Sequence, residues 1–180
     1  MPLNKYAPQA ATHRRTQSAI LEGAKNLIAT VGLAKMSMIE IADTSQVSRA
    51  TLYNHYRDKD SVIAALCESE INRLIAIANS APNAIDALEL LSIQISTDIA
   101  LARMRIHDPA PLASALAATA NPLWAALSDA LAVITGSQVV ADLALRWLVG
   151  QVLQPLTPDD SRLAAELLIS RANILSLIHI

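Results

Sequence analysis

Apolar positions recur along this chain at spacings of three and four residues, the mark of helices that bury one face. Ile20, Ala24, Leu27, Ile28 and Val31 predict a first helix starting near Arg15, and Gly32 offers it a left-handed stop. Ser37-Met38-Ile39-Glu40 then fits a capping box, with the Ser37 hydroxyl accepting from the Glu40 amide and the Glu40 carboxylate accepting from the Ser37 amide. A second helix therefore starts just ahead of Ile41 and Ala42. Ser48 caps a third helix and Asp58 a fourth, whose stripe is Val62, Leu66, Ile71, Leu74, Ile75 and Ile77.

Proline signals divide the second half. Ser80-Ala81-Pro82-Asn83 is a break, after which Ile85, Leu88, Leu91, Ile95 and Ile99 predict a fifth helix that ends over residues 107–111. Residues 112–119 form a short sixth helix, and Asn121-Pro122 opens a seventh through Trp124, Leu127, Leu131 and Ile134. Gly136-Ser137 separates it from an eighth, which stops at Pro155. Thr157-Pro158-Asp159-Asp160 supplies a cap, a proline and two dipole-matched carboxylates for a ninth.

Composition agrees with an all-α chain of about nine helices. Glycine occurs four times, phenylalanine is absent, and 53% of the 180 residues are apolar, enough for one or two compact domains. The eighth and ninth helices are apolar on almost every side. Asp142 and Arg146, spaced i to i+4, are the charges of the eighth and read as a self-satisfying pair. Helices of that kind need cover on more than one face, which a monomer core or a subunit interface can give. The interface reading, a homodimer, places Leu143, Trp147, Gly150, Leu167, Leu168, Ile174 and Leu175 at the contact.

Charge is uneven. Residues 1–60 hold eight Lys/Arg against five acids, a balance of +3, whereas the remainder holds six against eleven, a balance of −5. A basic front and an acidic back suit a polyanion-binding head on a body that stays off the polyanion. Cys67 is the only cysteine, so no intramolecular disulfide can form, and the start M-P-L-N-K-Y-A-P lacks the apolar segment of a secretory signal. Both features point to the cytoplasm. The uncharged run over residues 109–128 has the length of a membrane span, but its three prolines and its Ser, Thr and Asn favour two short buried helices, and no membrane partner is expected. His13, His55, His107 and His179 stand isolated along the sequence. With no metal-spaced His/Cys cluster, nucleophile elbow or phosphate loop, neither an enzyme nor a metal or cofactor site is expected.

The stretch V-S-R-A-T-L-Y-N-H-Y at residues 47–56, preceded by S-M-I-E-I-A-D-T at 37–44, carries the strongest signal. Two short helices joined by a tight polar turn, the second opening on a hydroxyl cap, form a device for entering the DNA major groove. Leu52 and Tyr56 fall one turn apart and face inward, leaving Arg49, Ala50, Thr51, Asn54 and His55 nearer the duplex. Arg49 can reach a guanine edge or a phosphate, Asn54 an adenine edge, and Ala50 or Thr51 a thymine methyl. Ser37, Ser48, Thr51, Tyr53 and Lys59 suit phosphate contacts, through hydroxyls and helix N-termini. Tyr53 also fits a half-buried position, and His55 reads as a polar contact rather than a switch. Lys5, Arg14 and Arg15 fit either a minor-groove arm or a disordered basic tail.

Residues 14–73 resemble the DNA-binding domain of TetR-family (TetR/AcrR-like) regulators. The resemblance rests on I-L-x-x-A at residues 20–24, Ile41-Ala42, V-S-x-x-T-L-Y at 47–53, the aromatic Tyr56 and Asp58-Lys59, about a third of the chain in all. Three positions depart from the family's pattern: Leu27-Ile28 where an aromatic plugs the small core, Gln46 in place of a turn glycine, and Tyr56 in place of phenylalanine. Gln46 must then accept a strained conformation or an altered turn. The resemblance implies a flexible arm over residues 1–13, a head over 14–74 with its helix-turn-helix near 37–56, and an effector-binding and dimerisation domain over 75–180. It also implies a dimeric transcriptional regulator, usually a repressor, that binds a palindromic operator in double-stranded DNA and is released by a small molecule. For that molecule, apolar or amphipathic in character, Arg103, Met104, His107, Trp124 and Trp147 are the candidate contacts, with a filled core as the alternative. An interaction adaptor without DNA binding is the competing function.

Overall fold

The computed structural model describes residues 7–118 and 121–178, with side chains over 11–118 and 121–170. Ten helices, and among the described residues no strand, follow one another: α1 (Ala7–Thr30), α2 (Met38–Thr44), α3 (Arg49–His55), α4 (Lys59–Ser80), α5 (Ala84–Ser96), α6 (Ile99–His107), α7 (Pro109–Ala117), α8 (Pro122–Thr135), α9 (Gln138–Leu153) and α10 (Pro158–Ile178). The architecture is the all-α one expected, with one helix more than predicted.

The extra helix comes from a cap that apolar periodicity hides. The stripe through Ile95 and Ile99 predicts one helix, but α5 ends at Ser96 and the Asp98 carboxylate accepts from the Leu101 amide to open α6. The Thr97 hydroxyl folds back on the Ile93 carbonyl, satisfying the outgoing end. At the other end of the chain α1 begins at Ala7, ahead of the predicted start near Arg15 and through much of the expected arm. Pro8 falls in the first turn, where no intrahelical N–H is lost, and the alanines that follow favour helix. Lys5, Thr119 and His179 lie outside the described residues.

Most predicted caps form. Ser37 and Glu40 close a capping box, with Ser37 N donating to Glu40 Oε2 at 2.9 Å and Glu40 N donating to Ser37 Oγ at 3.3 Å. Ser48, Asp58, Asn121, Ser137 and Thr157 each accept from an amide of the following turn. Gly32 ends α1 with φ at 91°, as expected of a left-handed stop.

The chain divides into two compact units, one ending at Ser69 and one starting at Glu70. In the first, Ile20, Leu21, Ala24, Leu27 and Ile28 of α1 are buried along with Ile41 and Ala42 of α2, Leu52 of α3, and Val62 and Leu66 of α4. Gly23 of α1 packs tightly on Ser45, the C-cap of α2, since a Cβ there would collide with Ser45 Oγ. In the second unit, Leu88 and Leu91 of α5, Leu131 of α8, Leu148 of α9 and Ala165 of α10 centre the core. Through that core runs a polar thread. Ser92 Oγ bonds to Ser161 Oγ at 2.6 Å and to Gln151 Oε1, which also accepts from Ser96 Oγ at 3.1 Å, while Ser96 Oγ accepts from the Leu156 amide at 3.1 Å. It ties α5 to α9, to α10 and to the link between them.

Two further expectations are corrected here. Helix α7 is largely exposed rather than buried, with Leu112 its one fully buried side chain. No single helix among the described residues is long and apolar enough to cross a membrane. Nor do Asp142 and Arg146 bond carboxylate to guanidinium: Arg146 Nη1 donates to the Asp142 backbone carbonyl at 3.0 Å, and the carboxylate accepts instead from Ser128 Oγ at 2.9 Å and Gln138 Nε2 at 3.0 Å.

The turn between α2 and α3 is a Schellman motif built on a non-glycine residue. Val47 N donates to the Ala42 carbonyl at 3.0 Å and Gln46 N to the Asp43 carbonyl at 3.2 Å, which sets Gln46 at φ 54°. The strained conformation expected of Gln46 is thus the one observed. Its side chain is exposed, so Gln46→Gly removes the steric cost and leaves no hole. Net of glycine's added chain entropy, stability should rise by about 0.5–1 kcal/mol, read as a shift in urea midpoint; a lower midpoint would show that the Gln46 side chain contributes more than its backbone costs.

Candidate nucleic-acid interface

Helix α3 is seven residues long, and its two faces have opposite fates. Leu52 is fully buried and Tyr56, one turn on, is nearly so, which fixes the helix by its inner edge. Arg49, Ala50, Tyr53 and Asn54 are exposed, while Thr51 and His55 lie half-buried at the flanks. Tyr53 keeps 54% of its surface open, so the phenol stands free of the core. At the N-terminus Ser48 Oγ accepts from Thr51 N at 3.0 Å and lies 2.8 Å from Thr51 Oγ1. Both hydroxyls are occupied by capping but keep acceptor capacity toward solvent.

The neighbouring elements bring further polar groups. Ser37 is half-buried, its hydroxyl donating to Glu40 Oε2 at 2.8 Å. Lys59, in the first turn of α4, donates from Nζ to the Leu33 carbonyl at 3.1 Å, which ties the α1–α2 link to α4 and leaves two N–H groups for another acceptor. Asp58 holds its carboxyl below the ordinary value of 3.8, chiefly through the Ser61 amide and then the Ser61 hydroxyl. Arg57 is exposed between Tyr56 and this cap, a cation the sequence reading passed over because no motif marks it.

His55 is not the isolated residue that the sequence suggests. Its ring stacks on that of His13 from α1, with centroids 4.2 Å apart and planes 22° off parallel. Burial lowers the His55 pKa below 6.5, and the charge of His13 lowers it further. Only the packing of α1 on the head could reveal this pair.

The expected effector and interface residues scatter across the second unit. A cavity of about 320 Å³ is lined by Leu116, Trp124, Asp142, Leu145, Arg146 and Val149. Of the effector candidates only Trp124 lines it. Met104 and Trp147 pack against the unit's core, His107 is exposed, and Arg103 is half-buried with Nε lacking a partner. The lining residues of α9, Asp142, Leu145, Arg146 and Val149, fall at i, i+3, i+4 and i+7 on one face, a visible period whose orientation sequence could not supply. The Asp142 carboxyl sits below its ordinary range, held there by Gln138, then Ser128, with the Arg146 charge adding to the effect. Among the interface candidates Leu143, Gly150 and Leu167 are exposed, Trp147 and Leu168 are half-buried, and the side chains of Ile174 and Leu175 lie outside the described residues. Val139, Leu153 and Leu163 are further exposed apolar residues on α9 and α10.

The model for bacterial regulatory proteins of the tetR family matches residues 20–66, from the core of α1 through α2 and α3 into α4. The chain carries a TetR-family helix-turn-helix domain. Over 66 residues it is 33% identical to the HTH-type transcriptional repressor Rv1474c of Mycobacterium tuberculosis, a match covering 37% of this chain and 34% of that protein. It is 29% identical over 151 residues to the uncharacterized HTH-type transcriptional regulator MT1294 of the same species, covering 82% of this chain and 67% of the relative. The matches thus span about a third of the first relative and two thirds of the second. In fold it is similar to the dihydroxyacetone kinase operon activator DhaS, at a TM-score of 0.64 and 16% identity over 88% of this chain and 97% of that one.

Within this TetR-type head, Tyr56 departs from the family's phenylalanine. The ring is buried, but Oη, near Gln17, has no partner in hydrogen-bonding geometry. Burial accordingly pushes the phenol's pKa up, with Gln17 acting against the rise and Glu68 adding to it. Removing a buried, unpaired hydroxyl relieves its desolvation, so Tyr56→Phe should stabilise the head by about 1 kcal/mol in chemical denaturation. A loss of stability instead would mean that Gln17 holds the hydroxyl in solution.

Proposed function

We propose that this chain is a sequence-specific DNA-binding transcriptional regulator, a homodimeric repressor released from its operator by a small molecule. The observation that carries the reading is the division of α3, anchored through Leu52 and Tyr56 with Arg49, Ala50, Tyr53 and Asn54 open, inside the segment that matches the family. Set in a major groove, such a helix offers Arg49 to a guanine, Asn54 to an adenine and Ala50 or Thr51 to a thymine methyl. Ser37, Ser48, Tyr53, Lys59 and His55 flank it as contacts to the sugar-phosphate backbone. The repressor sign draws support from the relative that matches the head, whose name is that of a repressor. Such a protein works where the chromosome is, in the cytoplasm.

Dimerisation is supported by exposed apolar residues of α9 that surround Arg146. Val139, Leu143, Gly150 and Leu153 share one exposed face, and Leu163 and Leu167 are open on α10. Closed two-fold pairing of these faces would cover them. The cavity beside Trp124 supports an amphipathic effector, with Leu116, Trp124, Leu145 and Val149 for its apolar part and Asp142 and Arg146 for a polar one. Effector binding would shift the dimer between head spacings, one of which fits successive major grooves.

Selection of duplexes from a random pool should recover an inverted repeat with half-site centres about 34–36 Å apart. Binding should weaken steeply as salt rises. Arg49→Ala should cost about 1–3 kcal/mol and relax one position of the site, whereas Tyr53→Phe should weaken all sequences alike. Leu143→Glu with Leu167→Glu should leave a monomer in sedimentation. A protein that recovers no repeat and binds duplex with no salt dependence would be an interaction adaptor instead.

For the effector, ligands that raise the melting temperature should also change tryptophan fluorescence. That change should vanish in Trp124→Phe and persist in Trp147→Phe; a response that follows Trp147 would move the site away from this cavity.

A further inference from the structure

We propose that His13 and His55 form a proton-sensitive clasp that holds the N-terminal turns of α1 against the C-terminal end of α3. The two rings lie face to face at 4.2 Å, one from each helix. Neutral imidazoles attract in this arrangement through dispersion and offset stacking, whereas two imidazolium rings at the same separation repel. The surroundings do not neutralise that repulsion. Tyr56 tilts against His55 with ring centres 6.2 Å apart, Arg14 and Arg15 follow His13 on α1, and Arg57 and Asp58 follow Tyr56. Glu68 of α4 acts on the Tyr56 phenol, and among the described residues neither imidazole has an ion-pair partner. Side chains from Ala11 to Arg15 are all exposed, so the stack bears on a stretch with little other burial to hold it.

The sign follows from which form the docked state prefers. Burial and the neighbouring imidazole both disfavour a proton on His55, so the released state binds protons more readily. The clasp is therefore closed above the ordinary value of 6.5 and opens as pH falls through the lower value of the docked ring. Opening frees the end of α3 that carries Asn54 and His55, which connects the clasp to the proposed recognition surface. The clasp is nonetheless a property of the free protein, and its test needs no duplex.

Amide exchange over residues 11–16 of the full chain, with a chelator present to keep metal ions off the histidines, reads the clasp directly. After correction for intrinsic rates, protection in the unsubstituted protein should fall severalfold between pH 7.5 and 5.5. His13→Phe keeps a ring face but cannot charge, and a protonated His55 is attracted to it, so protection should hold at both pH values. His13→Ala should lack protection at both. Equal protection at the two pH values in the unsubstituted protein, the same pH dependence in His13→Phe, or retained protection in His13→Ala would each overturn the proposal.

Discussion

Everything that the head can do depends on the seating of one short helix by two side chains. Seven residues cannot hold a helix in water unaided, so α3 exists because Leu52 and Tyr56 give it a buried edge and Ser48 satisfies its first amides. That edge decides the rest. With Leu52 inward, the i−2, i+1 and i+2 positions fall outward, and these are Ala50, Tyr53 and Asn54, while Arg49 is exposed at the first residue of the helix. The Schellman turn at Gln46 sets the approach of α2 to α3, accepting a left-handed residue for two carbonyls that would otherwise stay unpaired.

The second unit is held differently. Its core is aliphatic and small-residue, yet Ser92, Gln151 and Ser161 are buried within it and bonded to one another. A polar thread in an apolar core adds little net stability but penalises any sliding of α5, α9 and α10, since each step would leave a buried hydroxyl or amide without its partner. Gln151 Nε2 is already without one. Outside, Arg162 of α10 meets Asp86 at 2.6 Å and Glu89 at 2.7 Å on α5 as well as Glu166 at 2.8 Å on its own helix, and these three carboxylates raise its pKa. As a solvent-exposed cluster it sets the facing of α10 and α5 more than it stabilises them.

The polar groups proposed to contact the duplex also hold the head together. Lys59 closes the α1–α2 link through Leu33 and still has donors to give, and the Ser48 and Thr51 hydroxyls cap α3 and still have lone pairs. In the proposed complex, the local bonds that hold such groups would lower the entropy lost on binding. His55 belongs to the same class, except that what holds it is a second titratable ring.

Much of this was legible from the chain because it is local. Capping boxes, Asn-Pro starts and the inward pair Leu52 and Tyr56 depend on residues within one or two turns of each other, and local bonds at Ser37, Ser48, Asp58, Asn121, Ser137 and Thr157 form as their spacing requires. Periodicity failed where a polar cap sat inside an apolar stripe, so Asp98 divided a helix that Ile95 and Ile99 seemed to join. What tertiary packing alone decided were pairings between distant residues, His13 with His55 and Ser92 with Gln151 and Ser161, and which face of α9 lines a cavity. Hydrophobic period says that a helix has an inside but not what it will meet there. The partner is chosen by the summed packing of all the helices in a unit, a quantity that no single segment contains.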